Sequence, residues 1–280
     1  MLPTTSATAS NGSNPVTPLA NNTYNNSNTF VQFNDPLVNT DNSVSTSNAK
    51  NKYLLFASEF VGMTTFILMS LSNVAIFSLM PSNMSWEGVA ISWGFNLLFG
   101  IKMASYGNAY LNPCIAFCDY ALANSISTCE FFIYLTAELT GAFTGAAITY
   151  SLHRNLYLGL ESSDNNTAVC GHFATYNSAG INKLQAFFVE FIGTALFSLS
   201  IFKILKSKTP YAAYAISMSL TAITMALGFQ TAFSYNWARD FGPRLFISIV
   251  EKDCFSLNGN YWYIPLLANF AGAAVGWLAH

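Results

Sequence analysis

Asn112-Pro113-Cys114 and Asn236-Trp237-Ala238-Arg239-Asp240 decide the reading of this chain. Each lies deep inside a hydrophobic region, near the same relative point of one of two similar halves. An asparagine so placed reads as the polar head of a short helix. Its side-chain oxygen caps the helix while its amide donors point elsewhere. Two such heads in a membrane protein point to a pore, with half-helix N-termini meeting where a solute passes.

Composition sets the class. The chain is 52% hydrophobic and only 9% charged, against roughly 25% charged in ordinary soluble domains. The net charge of −2 gives no support to a nucleic-acid partner. The 15% aromatic content, with 24 Phe, fits lipid-facing helices and interfacial belts. The five cysteines form no C-x-x-C pair and histidine is scarce, which argues against a zinc site.

Residues 1–49 are rich in Asn, Ser and Thr and have no apolar period, so they read as a disordered tail. From residue 50 the text becomes a channel-like domain reaching 280. Apolar runs lie at about 54–80, 89–104, 131–152, 185–205, 211–230 and 262–279, each near the roughly 20 residues that span a bilayer. Two pieces, about 113–122 and 237–247, follow the Asn heads. They are too short to span and read as re-entrant half-helices buried against protein. The halves, about 53–152 and 185–280, repeat. Glu59-Phe60-Val61-Gly62 matches Glu190-Phe191-Ile192-Gly193, and Glu138-Leu139-Thr140-Gly141 matches Asn269-Phe270-Ala271-Gly272. Three spans per half put the second half upside down relative to the first. The fold class is therefore an all-α membrane protein, an inverted repeat of six transmembrane helices and two half-helices.

Loop charge sets the orientation. Lys50, Lys52, Lys203, Lys206 and Lys208 place both termini in the cytoplasm. The sequons at Asn83 and Asn165 then face outside. Cys170 and Cys254 share that outer side, and whether they pair is left open. His153 and His172 read as solvated loop residues.

Over about 53–280 the chain resembles the major intrinsic proteins, the aquaporin and aquaglyceroporin family. Asn236-Trp237-Ala238-Arg239-Asp240-Phe241-Gly242-Pro243-Arg244 differs at one residue from the glycerol-channel form N-P-A-R-D-F-G-P-R. Ala109 to Cys114 resembles the first box, A-H-L-N-P-A. Phe173-Ala174-Thr175-Tyr176 and Tyr261-Trp262-Tyr263-Ile264-Pro265-Leu266 resemble the glycerol-conducting branch. The resemblance implies a passive homotetrameric channel for glycerol, other small neutral solutes and water, in the plasma membrane, with no cofactor. It implies a selectivity filter of Trp93, Phe233, Arg239 and Asp240. Asn112, Pro113, Cys114, Asn236, Trp237 and Ala238 would form the central constriction. The position where water-selective members carry His falls near Thr224, and that span holds no His.

Glu59, Glu190 and Glu138 stand inside spans, where charge is costly. They read as acceptors bracing the loop amides; a proton relay through Glu59 and Glu190, or a pH gate at Glu138, is the other reading. Trp237 replaces the second-box proline, which loses the preset first-turn φ. Its ring either turns into helix packing or narrows the centre. Cys114 replaces a small Ala; if it faced the pore, thiol reagents would block flow. Tyr110 replaces a His and alters the inner vestibule. Two rivals stand beside the glycerol channel: a water-selective channel, and a non-conducting protein of the same fold closed by Trp237. A membrane enzyme would need a nucleophile–base pair or metal cluster, and the sequence offers neither.

Overall fold

The computed structural model describes residues 51–79, 85–104, 106–161, 166–178, 180–251 and 253–280. The tail at 1–49 and the Asn83 and Asn165 positions lie outside these residues. The described chain is helical: α1 (Lys52–Leu79), α2 (Trp86–Met103), α3 (Pro113–Ala121), α4 (Thr128–Glu161), α5 (Asn166–Phe173), α6 (Lys183–Lys206), α7 (Ala212–Leu227), α8 (Trp237–Val250), the single turn α9 (Leu257–Asn260) and α10 (Tyr263–Leu278).

All six apolar runs are helices. The helices of α1, α4, α6 and α7 are each long and apolar enough to cross a membrane unaided. Helices α2 and α10 have 18 and 16 residues, about 27 and 24 Å, and complete the six. Helices α3 and α8 have 9 and 14 residues, about 14 and 21 Å, and stop short of a full crossing. Large apolar side chains face outward along the spans, Phe95, Phe132, Phe188 and Leu267 among them, as a lipid environment favours.

The repeat is visible in packing. Helix α1 lies along α4, and α6 lies along α10; α2 packs on α7 between the halves. Each half-helix also touches the third span of the other half, α3 on α10 and α8 on α4. Small residues make the long contacts close. Gly141 and Gly145 lie against the Phe60 and Thr64 carbonyls, and Gly272 and Gly276 against those of Phe191 and Ala195. A Cβ at Gly272 would run into the Phe191 carbonyl, which belongs to rigid helix backbone. Gly272→Ala is therefore expected to destabilise the fold by about 1–3 kcal/mol. Thermal denaturation in detergent, followed by size-exclusion chromatography, measures it.

The described helices correct two sequence expectations. His153 is not in a loop: it sits inside α4 at a local break, φ −107° and ψ 15°. His172 stands on α5, its ring 5.8 Å from that of Tyr157. Burial pushes its pKa down to about 4, so the ring is neutral at neutral pH. Cys170 and Cys254, left open above, form a disulfide with Cα atoms 5.5 Å apart, tying α5 to the segment after α8.

Candidate functional site

The two Asn heads meet. Asn112 caps α3 through its Oδ1, which accepts from the Cys114 N–H at 3.1 Å; Asn236 caps α8 by accepting from the Arg239 N–H at 3.2 Å. Their amides then cross. Asn112 Nδ2 donates to the Tyr235 carbonyl at 2.9 Å, and Asn236 Nδ2 donates to the Leu111 carbonyl at 2.5 Å. One N–H of each amide is used in this exchange, and a second remains on the nitrogen. The half-helices thus abut N-terminus to N-terminus, with both positive dipole ends at the centre.

The loops leading to these heads share a backbone pattern. Ala109 and Leu111 have φ of 51° and 49°, and Phe233 and Tyr235 have 41° and 47°. The third and first residues before each Asn are therefore left-handed, a costly conformation for non-glycine residues. Buried carboxylates hold it. Glu59 accepts from the Leu111 N–H at 2.5 Å, and Glu138 from the Asn112 N–H at 2.9 Å. Glu190 accepts from the Ser234 and Tyr235 N–H groups at 3.0 and 3.1 Å. Asn269, the repeat equivalent of Glu138, donates to Ser234 Oγ at 2.8 Å. Among the described residues the second oxygens of Glu59 and Glu138 have no hydrogen-bond partner.

A narrow cavity runs past both heads. It is lined by Asn112, Asn236 and loop residues 109–111 and 233–235, together with Phe66, Leu97, Ile101, Phe197, Ile201, Ile216 and Leu220. The loops and Asn heads bring backbone and amide groups to this lining, and the helices bring hydrocarbon. At one end Trp93, Phe233 and Arg239 converge. The Trp93 and Phe233 rings meet edge to face at 4.9 Å. The Arg239 guanidinium lies 4.4 Å from the Trp93 ring centre and 5.4 Å from that of Phe233. Its Nη2 donates to the Ala232 carbonyl at 3.2 Å, and its Nε has no partner. This ring joins a fixed hydrogen-bond donor to a greasy corner, which suits a molecule with hydroxyls on one edge and carbon on the other.

Several expected site residues stand elsewhere. Asp240 does not line the cavity. It binds Arg244 in a buried ion pair at 2.9 Å and accepts from the Thr175 N–H and Oγ1 at 2.7 and 2.6 Å. Adjacent helix residues point about 100° apart, so Arg239 and Asp240 do not face one lumen. Pro113, Cys114 and Ala238 are buried behind the two Asn side chains, outside the cavity wall. The Trp237 ring stacks on Phe241 at 4.9 Å and lies 5.9 Å from Phe270. It packs between helices and does not line the cavity. Thr224 is fully buried and also off the cavity wall. Trp237→Ala is therefore expected to cost about 2–3 kcal/mol of stability while changing permeability per channel less than about twofold. Parallel melting and vesicle-flux assays measure both.

The hydrocarbon wall was not singled out from the sequence, because an apolar pore lining has the same residue types as an apolar core. Nor was Asp119, a buried acid on α3 that binds Tyr110 beside the cavity.

Comparison with known proteins agrees with this geometry. Residues 45–280 match the family described as Major intrinsic protein. Aquaglyceroporin-2 of Rhizophagus irregularis is 32% identical over 232 residues, covering 78% of this chain and 72% of that protein. The glycerol uptake facilitator protein of Pseudomonas aeruginosa is 27% identical, covering 78% and 84%. The X-ray structure of the aquaglyceroporin from Plasmodium falciparum superposes with a TM-score of 0.69 at 26% identity, covering 81% of this chain and 95% of that one. With its paired half-helices, crossed Asn heads and Arg–aromatic ring, this chain belongs to the major intrinsic protein family.

Proposed function

We propose that this chain is a passive transmembrane channel for glycerol and other small uncharged solutes, with water. The observation that carries it is the Trp93–Phe233–Arg239 ring at one end of a continuous cavity. The guanidinium offers donors to hydroxyls and repels cations, and the two rings receive the carbon backbone. The second amide hydrogens of Asn112 and Asn236 receive the solute oxygen at the centre, where both dipole ends oppose protons. The names of the similar proteins point to the same solute.

In this reading both termini are cytoplasmic. The lysines at the start of α1 and the end of α6 support that side, and a disulfide on the opposite face fits the oxidising exterior. The protein works as a homotetramer in the plasma membrane, one pore per subunit, with residues 1–49 as a cytoplasmic tail. No cofactor takes part. Glu59, Glu138 and Glu190 brace the loops and do not relay protons.

Uptake of isotopically labelled glycerol into proteoliposomes tests the passive mechanism. Initial rates are expected to rise linearly with concentration and to be unchanged when a proton gradient is imposed or collapsed. Saturable, gradient-driven uptake would sink the channel reading in favour of a coupled transporter.

A further inference from the structure

The cavity has two ends, and the sequence motifs describe only one. The Arg239 ring stands where α2 begins and α7 ends: Trp86 donates through Nε1 to the Met225 carbonyl and its ring lies 5.7 Å from Phe233. The other end lies about 12 Å further along α2, at Ile101. There the loop before α3 is fastened to the starts of α1 and α4. Tyr106 donates its N–H to Ser58 Oγ at 2.9 Å, and Asn108 donates its N–H to the Tyr134 hydroxyl at 3.2 Å.

Tyr110 stands at this end and lines the cavity. Its ring is clamped. The hydroxyl donates to Asp119 Oδ2 at 2.6 Å and accepts from Asn108 Nδ2 at 2.7 Å. Its face meets Tyr134 edge to face at 4.7 Å. Asp119 is itself buried on α3, so the anchor is part of the half-helix. The repeat equivalent of Tyr110 is Ser234, which presents far less bulk at the corresponding place in the other loop. Ile101 and Ile201 line the same cavity. An aromatic ring pinned at three points in a cavity lined by branched aliphatics is a rigid narrowing that sorts by width.

We propose that Tyr110 is a second, size-selecting constriction of this pore, in series with the Trp93–Phe233–Arg239 ring and at its opposite end. This rests on the channel reading above. The hydroxyl is committed to Asp119, so the ring sorts solutes by cross-section, and the Arg239 ring sorts them by hydrogen bonding as well. Resistances in series add, so each narrowing masks relief of the other. The effect of opening Tyr110 is therefore largest once Phe233 has been truncated.

Stopped-flow permeability to glycerol and to a five-carbon polyol, in proteoliposomes, tests this with Tyr110→Ala, Phe233→Ala and the double variant. Tyr110→Ala is expected to raise glycerol permeability up to about twofold, the limit for two equal resistances. The double variant is expected to pass the five-carbon polyol about tenfold faster than Phe233→Ala alone. If alanine leaves Asn108 and Asp119 unpaired and the protein does not fold, Tyr110→His carries the same test. It keeps an N–H for Asp119 in a smaller ring, and the same order of rates is expected. Tyr110→Phe, which keeps the bulk, is expected to retain the wild-type size limit. Wild-type glycerol flow with the five-carbon rate of the double variant equal to that of Phe233→Ala overturns the second constriction and leaves the channel standing. Absent flow through every folded variant overturns both.

Discussion

Replacing Arg239 with valine is expected to open the pore to ions and to blunt its choice among solutes. The guanidinium sits in the ring with Trp93 and Phe233 and is held in place by the Ala232 carbonyl. A cation passing about 4 Å from a fixed positive charge meets a barrier of about 4 kcal/mol at an effective dielectric constant of 20. Removing it therefore raises cation passage by up to about a thousandfold. The two half-helix dipoles still oppose cations at the centre, so the leak remains below that of an open pore. For neutral solutes two effects compete. The lost donors no longer replace water around the hydroxyls, and the vacated volume widens the ring. Width dominates for solutes larger than glycerol, so five-carbon polyols gain more than glycerol does. Proton flux reported by a dye trapped in vesicles, beside polyol flux, measures the change. An Arg239→Val channel that stays tight to protons and keeps its wild-type polyol order would show that the ring is not the filter.

Replacing Asp240 with alanine is expected to cripple folding and to leave filtration untouched in any protein that survives. Arg244 is fully buried. It donates to Asp240 at 2.9 and 3.1 Å, to the Thr175 carbonyl at 2.7 Å and to the Cys254 carbonyl at 3.0 Å. Its guanidinium also covers the Tyr176 ring at 4.5 Å. Without Asp240 the charge stays buried with no counter-ion, and the Thr175 N–H loses its acceptor. Removing one partner of such a pair costs about 3–5 kcal/mol, whereas replacing both with apolar groups of similar size is often near neutral. Asp240→Leu with Arg244→Met is thus expected to recover most of the stability lost in Asp240→Ala. Detergent thermal melts of the three proteins measure it. Equal losses in the single and double variants would mean that the ion pair is not what Asp240 supports.

The architecture is legible in the sequence for identifiable reasons. Asparagine before a short apolar helix has few uses in a membrane, and the matching Glu-Phe-x-Gly starts expose the inverted repeat. The placing of Trp93, Phe233 and Arg239 at one spot follows from the family resemblance, although Trp93 is one residue nearer Asn112 than the family pattern has it. Where motif and structure part, the cause is helix geometry. The resemblance puts Asp240 in the filter with Arg239 and Trp237 in the central constriction, positions that follow motif order rather than helix facing. On a helix Asp240 is turned by about 100° and Trp237 by about 200° from Arg239. One lands in the Arg244 pair and the other against Phe241. The Cys170–Cys254 disulfide joins residues 84 apart, and no local pattern gives the separation of two such loops. Tyr110 drew notice only as a replaced histidine; Asp119, which fixes it, carries no motif.

The most direct test of the Arg–aromatic pore is stopped-flow light scattering on proteoliposomes holding the purified chain, with glycerol and sucrose gradients side by side. Glycerol influx well above empty liposomes, with sucrose excluded and water equilibrating quickly, is the expected result, and it would mean that Trp237 leaves the centre open. Fast water flow with glycerol excluded, or no flow of either through folded protein, would contradict it.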